Sequence, residues 1–241
     1  CLNYEQFLAG GSADYAWPVL DENSACGLCY TSGTTGNPKG ALYSHRSTVL
    51  HAMAACTPDA LGISSRDTVL PVVPMFHVNA WGLPYIGAMV GAKMVMPGGA
   101  LDGASIYTLM EEEKVNISAG VPTVWLGLLN YVQQNKLRFS TFNRTVIGGS
   151  AAPPAMIRTL NDLGVEVIHA WGMTELSPLG TVCRLKAKHA DLPREAQQKV
   201  LEKQGVAIYG VDIKIVNDEE EEQEEEEEEK EEEGHNTPPP S

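Results

Sequence analysis

Cysteine is scarce in this chain, and the few present form no metal-binding pattern. Cys26 and Cys29 make one C-x-x-C, and the five cysteines include no second pair to complete a zinc site. Both lie in an apolar run, which points to buried, inert thiols. An odd count without a secretory signal is expected of a reducing compartment, the cytoplasm. Long apolar runs are absent too. None reaches the roughly 18 residues that cross a bilayer, so no membrane span is expected. Basic residues are outnumbered, 17 against 31 acidic, for a net charge of −14. The excess is local: residues 218–233 hold 14 of the acids and one of the bases, which leaves 17 acids against 16 bases elsewhere. The remaining body is near neutral and offers no basic face to nucleic acid. No Ser/His/Asp or Cys/His grouping of the kind that activates a covalent nucleophile is found either. The chain starts with Cys1 rather than Met and reads as a piece of a longer protein.

What is present is organised around one stretch, Tyr30-Thr31-Ser32-Gly33-Thr34-Thr35-Gly36-Asn37-Pro38-Lys39-Gly40. Its glycines let the backbone bend tightly and approach a ligand. Its N–H groups, hydroxyls and the Lys39 cation make a cradle for phosphate. It is not a Walker A loop, because Gly40 follows Lys39 where Ser or Thr would be required.

On either side, strand and helix patterns alternate. Residues 25–31 read as a buried strand, and Ser44 as the cap of a helix over 45–56. Strands are expected at 68–73, 92–96, 116–119, 144–148 and 165–169. Helices are expected at 79–90, with Pro84 kinking it or moving its start, then from Asp102 to about 113, at 122–135 and at 153–163. This predicts an α/β fold, a mostly parallel sheet flanked by helices, over residues 1–217. Residues 218–241, acidic and then proline-rich, are expected to be a disordered tail. Ligands of such sheets gather at the carboxyl ends of the strands. The loops there are 31–40, 74–81, 120–123, 148–152 and 170–175, and the chemically distinctive residues are concentrated in them.

Four later segments stand out. In Pro74-Met75-Phe76-His77-Val78-Asn79-Ala80-Trp81, His77 and Trp81 fall one helical turn apart, either packed or poised at a site. Gly120-Val121-Pro122-Thr123-Val124-Trp125 opens a helix and reads first as core. Gly148-Gly149-Ser150-Ala151-Ala152 is a small-residue turn with room for a flat ring against its backbone. His169-Ala170-Trp171-Gly172-Met173-Thr174-Glu175 follows the last strand and ends in a hydroxyl and a carboxylate.

In this order and spacing the five segments resemble the adenylate-forming enzymes: acyl-CoA synthetases, luciferases and peptide-synthetase adenylation domains. The resemblance covers about residues 20–217, the central part of that family's large domain. It implies that Thr31, Ser32, Gly33, Thr34, Thr35, Gly36 and Lys39 hold the phosphates of ATP. It implies that Gly149, Ser150, Ala151, His169, Ala170, Trp171 and Gly172 flank the nucleotide, with Trp171 where the family usually has Tyr. An indole still stacks on adenine but lacks the phenol's hydrogen bond. Thr174 reaches the α-phosphate, and Glu175 with Thr31 holds Mg²⁺, the phosphates supplying its other oxygens. His77, Val78, Trp81, Val121, Thr123, Gly148 and Gly149 line the acid pocket, where Trp81 gates the acyl chain as ATP binds.

The implied reaction joins a carboxylic acid to ATP as an acyl-adenylate, then to coenzyme A as a thioester. An anion must approach a polyanion, so positioning and charge neutralisation carry the catalysis. Lys39, His77, Thr174 and Glu175 are the candidate catalytic residues. Residues 77–81 and 120–125 look most similar to medium- and long-chain fatty acid ligases and to methylmercaptopropionate-CoA ligases. No acid for a substrate amino group occurs in 74–81 or 120–125, which disfavours an amino-acid-activating domain. The Tyr/Arg-x-Gly-Asp segment and the C-terminal domain lysine of the family are not found. The chain is therefore expected to be a fragment, an incomplete large domain of such a ligase, with a homodimer possible for the full-length protein. The rival reading is a catalytically inactive nucleotide-binding module that interacts through its acidic tail.

Overall fold

A computed structural model describes residues 3–12, 14–31 and 37–216. The chain runs α1 (Tyr4–Leu8), β1 (Ala25–Tyr30), β2 (Gly40–Ser44), α2 (His45–Cys56), β3 (Thr68–Pro71), α3 (Val78–Trp81) and α4 (Leu83–Val90). It continues through β4 (Lys93–Met94), α5 (Gly103–Glu113), β5 (Ile117–Gly120), α6 (Pro122–Gln134), β6 (Arg144–Ile147) and α7 (Pro154–Asp162). Then come β7 (Glu166–Gly172), β8 (Leu179–Cys183), α8 (Arg194–Leu201) and β9 (Val206–Ala207). A second unit begins at Tyr209, and its described residues, 209–216, carry no helix or strand.

Seven strands form one sheet in the order β4-β3-β5-β6-β7-β8-β9. The first five are mutually parallel; β8 runs antiparallel to β7, and β9 antiparallel to β8 closes the edge. The mostly parallel α/β fold expected from the alternation is therefore the fold observed. One strand departs from expectation. β1 does not join this sheet; it pairs antiparallel with β2 in a separate two-stranded ribbon. It is also largely exposed, with only Cys29 buried, so Cys26 is not the buried thiol expected. The 31–40 stretch is accordingly the connection of a hairpin, and the remaining four loops are the ones at the carboxyl ends of sheet strands. Ser44 caps α2 by accepting from the Ser47 amide, at the position read from the sequence.

Register sorts the sheet's side chains onto two faces. Leu70, Ser118, Thr145 and Val167 lie abreast on one face. That face packs on α5, α6 and α7 through a core that includes Trp125, Leu128, Ile157 and Leu160, all fully buried. Pro71, Ala119, Val146 and Ile168 lie abreast on the other. At the amino ends of the strands, buried Asp67 accepts from the Ser64 amide, Asn116 and Arg144. Burial alone would raise its pKa, but these donors and the Arg144 charge hold the carboxyl below the ordinary range. This rim is stitched by polar side chains, which leaves the opposite rim open for a ligand.

Candidate active site

The hairpin brings Thr31 and Lys39 together at the mouth of its connecting loop. The Thr31 amide donates to the Lys39 carbonyl across 2.8 Å. Ser32, Gly33, Thr34, Thr35 and Gly36, expected to cradle phosphate, lie outside the described residues. From β2, the Tyr43 hydroxyl donates to the carbonyl of Thr174, which sets the hairpin alongside the turn that carries Glu175. Burial, with Cys29 and then Glu175 nearby, pushes the Tyr43 phenol well up, so it remains a donor.

The 74–82 segment is where the structure corrects the expected helix over 79–90. Val78, Asn79, Ala80 and Trp81 all have φ between 50° and 56°, a single turn wound left-handed, and Gly82 follows at φ 74°. Right-handed helix starts only at Leu83, with Pro84 in its first turn. Left-handed backbone costs a non-glycine residue about 1–2 kcal/mol, and a β-branched one such as Val78 is an outlier. Local sequence preference cannot produce this turn; the surroundings impose it. Buried Val78 and Ala80 anchor it, and Val78 packs with Cys29 and Tyr43 of the hairpin. At Gly82, a Cβ would stand 2.8 Å from the ring of His51. Gly82→Ala should therefore lower stability by about 2 kcal/mol or more, through the positive φ and the clash together. Chemical denaturation checks this; a loss below about 0.5 kcal/mol would show the turn to be pliable.

The turn lays the Trp81 indole over the Gly148–Gly149 backbone. A Cβ at Gly148 would lie 3.4 Å from the ring, and one at Gly149 would lie 3.7 Å from it. The room for a flat ring expected beside this small-residue turn is thus taken by the protein's own tryptophan. Beside it opens a cavity of about 240 Å³, lined by His77, Val78, Trp81, Gly148, Gly149 and residues 170–174. Leu61, Leu83, Ala119, Val146, Pro178 and Leu179 complete the lining. Ala119 and Val146 come from the sheet face opposite the α5–α7 core, so the cavity sits at the carboxyl rim on that face. The wall is mainly apolar, and polar groups enter from His77 and Thr174.

Of the other expected site residues, Val121 packs its Cγ1 3.1 Å from where a Gly149 Cβ would be, so it backs the turn rather than the cavity. Ser150, Ala151 and Thr123 are exposed beside it. The Trp171 ring rests on Gly180 of β8 and is partly exposed. Lys39 and Glu175 are exposed, outside the cavity lining. His169 is the residue that differs most from its expected place. It is 1% exposed, on the core face of β7, where its Nε2 accepts the Ala152 amide across 3.1 Å. From there it supports the 148–152 turn from beneath. Burial pushes its pKa down, opposed by the backbone of residues 201–203.

His51, on α2, was not singled out by any motif. It is buried, and its Nε2 accepts the Leu179 amide across 3.3 Å. Burial pushes its pKa from 6.5 down to about 4. The unfolded chain then binds a proton between those values that the folded chain does not. Stability is full above pH 6.5 and falls as pH drops through that window, by on the order of 2–3 kcal/mol from this residue. Denaturation across the window should show this decline, and His51→Gln should flatten it. An unchanged slope in the variant would assign the decline to other groups.

The donor set suits a hard divalent ion held through phosphates. Glu175 supplies an exposed carboxylate and Thr31 a hydroxyl, both oxygen. Among the described residues no group of three or more His, Cys, Asp or Glu could hold a metal unaided. Mg²⁺ characteristically takes one or two protein oxygens and completes its octahedron with water and substrate phosphate. No helix of the described residues is long and apolar enough to cross a membrane.

The family model described as AMP-binding enzyme matches residues 4–234. The medium-chain-fatty-acid–CoA ligase of Ectopseudomonas oleovorans is 58% identical over 219 residues, 90% of this chain and 40% of that protein. The 3-methylmercaptopropionyl-CoA ligase of Ruegeria pomeroyi is 55% identical over 217 residues, again 90% of this chain and 40% of that protein. Among solved structures, the inhibitor-bound N-terminal domain of FACL13 from Mycobacterium tuberculosis superposes with a TM-score of 0.74 at 27% identity. That match covers 89% of this chain and 51% of the other. The chain spans about 40% of the length of the two ligases it matches. With the greater part of its length matched by the family model, the chain belongs to the AMP-binding enzyme family.

Proposed function

We propose that the full-length protein is an acid–thiol ligase that activates a fatty or short thioether carboxylic acid with ATP and transfers it to coenzyme A. One observation carries this reading: a mainly apolar cavity whose two sides are the Trp81 turn with Gly148–Gly149 and the 170–174 strand end. The first side suits an acyl chain and the second a nucleotide, and they meet where an acyl-phosphate bond would form. Similarity to two ligases of medium-chain fatty and methylmercaptopropionic acids supports the same substrate range.

In this reading Lys39 and the residues 31–36 neutralise the β- and γ-phosphates, and the Thr174 hydroxyl orients the α-phosphate. Trp171 and the 149–151 turn hold the adenine. His77 and Val78 border the carboxylate end of the acid, and Val121 supports the Gly149 turn from behind. Glu175 and Thr31 would hold Mg²⁺, which would supply charge neutralisation at the phosphates. The acid's carboxylate attacks the α-phosphorus, the bond to the β-phosphate oxygen breaks and pyrophosphate leaves. The thiol of coenzyme A then displaces AMP from the acyl carbon. Trp81 must leave Gly148–Gly149 for a ligand ring or chain to occupy that surface, which makes it the gate.

Incubating the chain with ATP, Mg²⁺ and octanoic acid and measuring AMP and pyrophosphate tests the proposal. Acid-dependent release of both is expected. Tight ATP binding with no release for any of a panel of acids would favour the inactive nucleotide-binding module.

A further inference from the structure

His51 touches both sides of the cavity without lining it. Its Nε2 accepts the amide of Leu179, the first residue of β8, across 3.3 Å. An N–H donor at Nε2 requires the lone pair there, so the neutral ring carries its proton on Nδ1. The other ring edge faces Gly82, where a Cβ would lie 2.8 Å from Cε1 and 2.9 Å from Nδ1. Gly82 is flanked by Trp81 and Leu83, and Leu179 is preceded by Pro178; these three neighbours and Leu179 itself line the cavity. One buried imidazole therefore spans the gap between the backbone that carries the gate and the backbone that leaves Thr174 and Glu175. Neither contact belongs to a helix or sheet ladder. Both are side-chain contacts from α2, one to the amide of the residue paired with Gly172 at the start of β8, the other to the glycine that ends the left-handed turn and caps α4.

We propose that His51 is a positioning residue: through the Leu179 amide and the bare Cα of Gly82 it sets the spacing between the Trp81 wall and the Pro178–Leu179 wall, and so how the acid seats. The consequence for acid binding rests on the ligase reading; the consequence for Trp81 does not. Removing the acceptor leaves the Leu179 N–H buried and unpaired, which the structure relieves by moving β8's start, and the cavity wall moves with it. Glutamine can place an amide oxygen near the Nε2 position and restore the acceptor. Phenylalanine fills the same space without one.

The test uses the ligand-free chain first. Its four tryptophans give four indole N–H signals by nitrogen-15 NMR, and Trp81→Phe identifies that of Trp81. His51→Phe is expected to shift or broaden the Trp81 signal and leave those of Trp17 and Trp125 in place, while His51→Gln keeps all four near wild-type positions. If the phenyl variant does not fold, His51→Asn, too short to reach the amide, takes its place. A Trp81 signal unmoved by the substitution, or moved equally by His51→Gln, overturns the proposal. With ligand, His51→Phe should weaken octanoate binding in the presence of ATP about tenfold, with ATP affinity itself within about twofold and His51→Gln near wild type. Equal losses in the two variants also overturn it. A wild-type chain that binds neither ATP nor octanoate would refute the ligase reading, and the indole spectra would still decide the role of His51.

Discussion

Glu175→Gln is expected to weaken ATP binding measured with Mg²⁺ by about tenfold to a hundredfold, and to change binding without Mg²⁺ by less than about twofold. The carboxylate is exposed, so losing its charge leaves the protein's own structure nearly untouched. What disappears, on the proposed ligase reading, is the carboxylate that would hold a divalent ion together with the Thr31 hydroxyl. Removing a charged partner of a bound cation typically costs about 1.5–3 kcal/mol, which is the range given. Calorimetric titration in magnesium and in a chelator separates the two cases. Equal weakening in both would mean that Glu175 acts on the nucleotide through backbone placement of the 174–176 turn and holds no metal.

The largest expected loss of stability belongs to Trp125→Ala, about 3–5 kcal/mol. The residue is fully buried, stacks at 6.1 Å on Phe142, and donates from its indole nitrogen to the Gly120 carbonyl across 3.1 Å. It joins α6 to the carboxyl end of β5, so the cavity it opens lies directly behind the loop that carries Val121. Against a total stability of about 5–15 kcal/mol for an ordinary domain, such a loss leaves the fold marginal. Trp125→Phe keeps most of the apolar contact and loses the hydrogen bond, with a loss of about 1–2 kcal/mol. Urea denaturation of the three proteins checks the ordering. A small effect of the alanine variant would show this part of the core to be loosely packed.

The parts of this structure that were legible in the sequence are those set by local chemistry. Ser44 and Asp102 cap α2 and α5, Pro122 opens α6, and small residues mark the 148–152 turn. Strand-to-helix alternation was enough to read the mostly parallel sheet. Three features depend on tertiary contact and left no local trace. β1 looks like any apolar strand, and only its pairing with β2 shows that it stands apart from the main sheet. The 78–81 turn carries residues that prefer right-handed backbone, so no propensity could reveal its hand. His169 follows the strand's period of two onto the core face, a consequence visible only once register fixes which face is core. The cavity's remaining lining, from Leu61 through Leu179, consists of ordinary aliphatic residues whose one distinguishing property is where the fold puts them. Ala119 and Val146, alternating with core residues on adjacent strands, were the pair a register argument could have found.

A crystal structure of the chain with a non-hydrolysable octanoyl-adenylate analogue tests the account most directly. The adenine is expected against Gly149 and Trp171, the phosphate near Thr174, and the alkyl chain between Trp81 and Leu179, with the indole displaced from Gly148. Density for the analogue at any other place on the chain, or the absence of binding at millimolar concentration, would contradict it.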